Sequence, residues 1–267
     1  MAKSEGRLAK LLLRFAAPLS GLRRVPVLGG LLSWISRRLV PTDALIWVQI
    51  QQGPAKGLWI RVNPRTGQCV QQGLGEAVVQ QALQRHLRPG MTFYDLGANI
   101  GFFSLIAARL VGPGGHVVCF EADPEIAERL RENLARNNFP HAIVEQKAVW
   151  SRAGTVSFER VDSSTSPDRG LGHVSGGMGA PNLISVEATT LDDYTLTHPA
   201  PDFLKCDVEG AEAEVFRGAN GLLSSKRPRL LIEMHSPENY KTVTQRLQDL
   251  NYDCRPLDEN HVLAVPQ

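Results

Sequence analysis

The sequence predicts an α/β fold, a mostly parallel sheet of seven strands with helices on both faces and an antiparallel hairpin at its end. Three observations carry this. From residue 91 onward, apolar runs of strand length alternate with amphipathic helical stretches. The first run, "MTFYDL" (91–96), leads into "DLGANIG", an acidic residue followed by a loop framed by Gly97 and Gly101. The last segment, "YDCRPLDENHVLAV" (252–265), reads as two strands about a tight Asp-Glu-Asn turn.

Taken in order, residues 7–19 place Arg7, Lys10 and Arg14 on one helical face and Leu8, Leu11, Leu12, Phe15 and Leu19 on the other. "GGLLSWISRRLV" adds Trp34 and an Arg-Arg pair. Such a segment either rests on an anionic membrane or packs on the main domain or a partner. "ALIWVQIQQGPAKGLWIRVNP" (44–64) predicts a hairpin about Gly53-Pro54, and a helix follows from Glu76 to His86, stopped by Pro89-Gly90. Strand 91–96 feeds a helix near 102–110. Strand 116–121 feeds a helix that opens at Asp123-Pro124, an N-cap followed by proline at the first helical position. A strand near 142–146 follows. Residues 160–182 are rich in Gly, Ser, Asp and Pro and read as a long loop; the runs on either side are expected to pair antiparallel. Strand 202–207, a helix near 211–224, strand 229–235 and a helix near 239–250 complete the pattern. The expected organisation is a basic appendage (1–42), a hairpin and helix (43–90) and a main domain (91–267).

The chain has 267 residues and a net charge of +2. Residues 1–42 hold eight basic residues against Glu5 alone, so the rest is net acidic, and the main domain is not expected to bind nucleic acid. Four dispersed cysteines form no C-x-x-C pair, which fits a reducing, cytoplasmic compartment without disulfides or zinc. The apolar stretch at 25–35 is too short for a membrane span and lacks a small-residue cleavage site, so contact through residues 7–40 is expected to be peripheral, on the inner face of a membrane.

In open sheets of this kind, ligands bind beyond the carboxyl ends of the strands. Asp95, Glu121 and Asp207 all fall there, and Glu121 comes 20 residues after Gly101, the spacing at which a carboxylate grips a ribose. The loop is G-x-x-x-G, not the G-x-G-x-x-G that cradles a pyrophosphate. An acid two residues ahead of the first glycine suits a cofactor with a cationic amine and no phosphate, and S-adenosylmethionine has both properties.

These residues carry a resemblance. "FYDLGANIGFFSLIAA" and "CFEADP" resemble the first two motifs of class I S-adenosylmethionine-dependent methyltransferases, which are Rossmann-like. "LKCDVEGAEAEVFRGA" (204–219), "TTLDDY" (189–194), "LLIEMH" (230–235) and the upstream "QQGLGEAVVQQAL" with Glu76 are similar to the FkbM-type family. The resemblance spans roughly residues 45–250. It implies that Asp95, Gly97 and Gly101 hold the methionine part, with Asn99 where many class I enzymes have glycine. It further implies Glu76 as a cofactor residue, Glu121 at the ribose, Gln146–Ala148 beside the adenine and Asp207 near the transferred methyl group.

The expected reaction is O-methylation of a hydroxyl on a small molecule, a sugar or a lipid-linked glycan. A hydroxyl needs a base or a metal to attack. His235 is the expected base, with Asp207 and Glu209 as further catalytic candidates. Asp207, Glu209 and Glu233 are a candidate Mg²⁺ set. Glu209 and Glu212 have a plainer reading as groups that cap the following helix. Lys205, inside an apolar strand, is expected to reach a carboxylate, Asp207 or Glu233. His86, His116, His141, His198 and His261 sit at element ends or in loops, where exposure is the expectation. Two rival readings stand: a nucleobase N-methyltransferase, against which "DVEG" stands where an Asn/Asp-Pro-Pro-aromatic motif is usual, and a membrane-associated module that binds cofactor without turnover.

Overall fold

A computed structural model describes residues 44–160, 172–174 and 182–267. The appendage 1–42, with its two readings as a membrane contact through residues 7–40 or a packed helix, and most of the loop 160–182 lie outside the described residues. Among the described residues no helix is long and apolar enough to cross a membrane.

The chain opens with β1 (Ile46–Gln49) and β2 (Trp59–Val62), an antiparallel hairpin as expected, then α1 (Gln68–Gln72) and α2 (Ala77–His86). Next come β3 (Thr92–Leu96), α3 (Phe102–Val111), β4 (His116–Phe120), α4 (Pro124–Arg136) and β5 (Ala142–Glu145). The region after β5 carries β6 (Ala148–Val149), β7 (Gly154–Glu159), β8 (His173–Val174), β9 (Leu183–Thr189) and α5 (Leu191–Thr195). The chain then returns with β10 (Phe203–Cys206), α6 (Glu212–Arg217), α7 (Asn220–Ser225), β11 (Arg229–Glu233), α8 (Pro237–Asp249), β12 (Tyr252–Pro256) and β13 (His261–Pro266).

Seven strands form the main sheet in the order β12-β13-β11-β10-β3-β4-β5. β10, β11, β3, β4 and β5 run parallel, and β13 runs antiparallel to both of its neighbours. One apolar layer packs β1, β2, α2, α3 and α4 against one face, and a second packs α5 to α8 against the other. Strands buried on both faces read as continuous apolar runs, and β3 is buried at every residue. β7 and β9 pair antiparallel, as the flanking runs predicted, within a separate sheet ordered β6-β9-β7-β8.

Capping fixes the helix starts. Asp123 Oδ1 accepts from the Glu125 and Ile126 amides at 2.8 and 3.3 Å, and Ser236 Oγ accepts from the Asn239 amide at 3.1 Å. The single helix expected at 211–224 is two helices. Gly218 passes too close to the Trp150 carbonyl for any side chain, since a Cβ there would lie 2.4 Å from that oxygen. The chain then restarts as α7 on Asp192, whose carboxylate accepts from the Gly221 and Leu222 amides. That cap comes from 29 residues upstream, beyond the reach of local periodicity.

Candidate active site

The loop after β3 turns through left-handed backbone at Gly97 (φ 72°), Asn99 (φ 50°) and Gly101 (φ 89°). Asparagine tolerates this region better than other side-chain-bearing residues, which explains how Asn99 stands where glycine is usual. The Gly97 and Ala98 amides donate to the Phe120 carbonyl at 3.0 and 2.9 Å. The Asn99 amide donates to Glu121 Oε2 at 2.8 Å, and the Asp123 amide to Glu121 Oε1 at 2.9 Å. Glu121 is thus locked to the loop and to the start of α4, and burial pushes its carboxyl up to about 7 against those two hydrogen bonds. Gly97 has no room for a Cβ, which would lie 1.7 Å from the main-chain oxygen of Asp207. This approach sets the glycine loop directly against the segment after β10.

Asp95 does not lie on the surface of the loop. It is fully enclosed, accepts from Ser104 Oγ at 2.6 Å, and has Lys205 Nζ 3.6 Å from its other oxygen, Oδ1, which has no hydrogen-bond partner among the described residues. Lys205 stands opposite Asp95 in the parallel β3–β10 register and donates to Asp207 Oδ2 at 2.9 Å. Burial raises the Asp95 carboxyl, and the lysine opposes that shift. Burial alone would lower the Lys205 ammonium, but Asp207 and Asp95 hold it above its ordinary value. Of the two partners expected for Lys205, the structure selects Asp207, and it adds Asp95, which the sequence reading left out.

Beyond Asp207 lies a cluster of acids and imidazoles. His235 Nδ1 is 2.8 Å from Oε1 of the fully buried Glu212, and its Nε2 is 3.4 Å from Glu209 and 3.6 Å from Asp207. The hydrogen bond to Glu212 pushes the imidazole up to about 9. Both ring nitrogens of His235 thus face carboxylates, which favour its protonated form. Glu212 also accepts from the Gly210 amide and from Asn239 Nδ2, so it ties the start of α6 to α8. Glu233 is pushed up to about 7, by burial first and then by Asp207 and Glu76.

Among the described residues, two trios bring ligand-type atoms within 4.8 Å of one another, Asp207 with Glu233 and His235, and Glu76 with Glu233 and His261. Glu209, expected in a metal set, is in neither; its carboxylate faces His235. His261, expected to be exposed, is buried at the start of β13 opposite Glu233. Burial works to lower its pKa, but Glu76, Asp258 and Glu233 raise it to about 8. The signal was present in the sequence, since the tight turn of the terminal hairpin ends directly before His261. Glu76, the N-cap of α2 with φ 28°, also reaches this cluster. Ala148 is buried in β6, paired to Ala188 of β9.

The model of the methyltransferase FkbM domain matches residues 95–254. Hexuronic acid methyltransferase AglP of Haloferax volcanii is 28% identical over 177 residues, covering 66% of this chain and 69% of that protein. 2-O-methyltransferase NoeI of Sinorhizobium fredii is 28% identical over 155 residues, covering 52% of this chain and 62% of that protein. A crystal structure of methyltransferase FkbM from Methylobacillus flagellatus KT is similar at 18% identity and a TM-score of 0.47, over 74% of this chain and 54% of that one. With its matched region spanning more than half of its length, the chain belongs to the FkbM family of S-adenosylmethionine-dependent methyltransferases.

Proposed function

We propose that the protein methylates a hydroxyl of a sugar, free or within a glycan. The observation that carries this reading is the close approach of Gly97 to Asp207, which sets a cofactor-type loop beside a half-buried carboxylate at the edge of an acidic cluster. Two relatives support the acceptor class, one named for a hexuronic acid and one for a 2-O position.

The residues present fit S-adenosylmethionine. Glu121 spends one lone pair of each oxygen on a main-chain amide, which leaves a second on each for the hydroxyls of a ribose. Gly97 and Gly101 put no side chain on the loop, and the enclosed Asp95 ties the end of β3 to Ser104 of α3 and Lys205 of β10. When bound, the cofactor supplies a methyl group made electrophilic by a sulfonium. Asp207 is the proposed proton acceptor. Lys205 holds its Oδ2, while Oδ1 faces the His235 imidazole. The acceptor hydroxyl becomes strongly acidic as its oxygen bonds to carbon, so an oriented carboxylate suffices to take the proton. His235, held by Glu212, and Glu209 beside it shape the wall next to Asp207.

The test is methyl-labelled cofactor with purified protein and a panel of free hexuronic acids, neutral sugars, saccharide-lipids and RNA. Label in a base-stable ether on a saccharide is the expected result. Base-labile label would place the methyl on a carboxylate, label in RNA would favour the nucleobase reading, and either would sink this proposal.

Cofactor affinity should depend on pH through Glu121. Ribose hydroxyls donate best to the ionised carboxylate, so calorimetric affinity for S-adenosylhomocysteine should rise up to about tenfold from about pH 6 to about pH 8. Glu121→Gln should bind more weakly and flatten that rise. The ligand-free protein should respond in the opposite sense. With its folded pKa raised, Glu121 favours folding fully below the unfolded carboxylate range, and that contribution is lost as pH climbs through about 7.

A further inference from the structure

We propose that Glu76, Glu233 and His261 form a binding site for a divalent transition cation. The site differs from the set of Asp207, Glu209 and Glu233 expected from the sequence, and it does not depend on the identity of the methyl acceptor.

The key group is His261. Its side chain is 8% exposed. Its Nδ1 lies 2.9 and 3.0 Å from the two oxygens of Asp258, and the His261 amide donates to the same carboxylate at 2.8 Å. A neutral imidazole that donates from Nδ1 to a carboxylate carries its free lone pair on Nε2, and this is the arrangement that prepares histidine to ligate a metal once the Nε2 proton is released. Here Nε2 is buried and has no hydrogen-bond partner among the described residues. Its near neighbours are Glu76 Oε2 at 3.4 Å and Glu233 Oε2 at 3.7 Å. A nitrogen facing two carboxylates is satisfied by a cation, either a proton on Nε2 or a metal ion that displaces that proton and binds all three groups.

The spacing is right for one ion. Ligands about 2.1 Å from a tetrahedral centre stand about 3.4 Å apart. One imidazole with two carboxylates suits Mn²⁺ or Zn²⁺ better than Mg²⁺, which favours all-oxygen surroundings. The backbone supplies the rigidity. His261 and Glu233 are direct partners in the β11–β13 register, so their side chains leave one face of the sheet together. Glu76 is 41% exposed, so an ion can enter from solvent on that side. Glu233 turns its other oxygen, Oε1, toward His235 at 3.9 Å. A cation would therefore anchor the shared wall of the acidic cluster, and its remaining coordination positions would be open to oxygen donors.

The test uses the full-length protein, stripped with chelator and titrated with Mn²⁺ while the free ion is followed by electron paramagnetic resonance. The expected result is about one bound ion per chain, as a single three-ligand site requires. His261→Gln should abolish that binding. Asp258→Asn, a change in an exposed turn that leaves all three ligands in place, should weaken it about 10–100-fold, and it keeps the test informative if the buried variant does not fold. Wild-type protein that leaves the Mn²⁺ free overturns the proposal, as does binding that a folded His261→Gln variant retains in full. If no ion binds and Glu76→Gln instead loses affinity for S-adenosylhomocysteine, the proposal is likewise overturned and the cluster belongs to the cofactor amine.

Discussion

Lys205→Met should cost about 3–5 kcal/mol of folding stability, the usual loss when one partner of a buried ion pair is removed. Lys205 is 2% exposed and lies between Asp95, which has no exposure at all, and Asp207. Methionine fills the same space beside Phe103, whose ring centre is 5.2 Å from the ammonium, so the change isolates the charge. Asp95 would keep only Ser104. Its folded pKa, already raised by burial, would climb further. A carboxyl raised in the folded state favours folding below its unfolded pKa and loses that contribution as pH rises. The deficit should therefore be smallest in acid and grow toward alkaline pH. Urea denaturation at several pH values checks this, and Lys205→Met combined with Asp95→Asn should recover part of the loss. A deficit that does not vary with pH would mean that packing, not charge, is what Lys205 contributes.

Asp207→Asn should lower kcat by about 10²–10³-fold, within the range general-base catalysis supplies. The amide keeps an oxygen for Lys205 and the same volume against the glycine loop, so binding of S-adenosylhomocysteine should stay close to wild type. Calorimetry and single-turnover kinetics measured side by side separate the two effects. A fall in kcat of less than about tenfold would make Asp207 a positioning residue and move proton transfer elsewhere in the cluster. Parallel loss of cofactor affinity would mean that its carboxylate works chiefly on the donor.

The legibility of this protein in its sequence follows the range of the forces involved. Strand positions, helix starts and the glycine loop depend on neighbours a few residues away, so "DLGANIG", Asp123-Pro124 and the terminal hairpin could be read directly. The pairing of Asp95 with Lys205 could not, because it depends on β10 lying beside β3. The break between α6 and α7 was hidden for the same reason, as Asp192 and the Trp150 carbonyl reach it from other elements. His261 was misjudged because a residue after a turn is exposed by default, whereas here antiparallel insertion carries it next to Glu233. His235 was chosen from its reference pKa, and Glu212, 23 residues earlier in the chain, changes that value.

The placement of β13 has a consequence for how the molecule assembles. It lies between β11 and β12 although it follows both in the chain. While it is out of the sheet, β11 offers a bare row of N–H and C=O groups, the kind of edge that recruits other chains. Its insertion moves the open flank to β12, which ends in the exposed Arg255 and Pro256, two residue types that discourage further pairing. The same step brings His261 to Glu233. Protection from aggregation and completion of the acidic cluster thus arrive in one event, so a chain caught with its vulnerable edge open is also a chain whose cluster is unfinished.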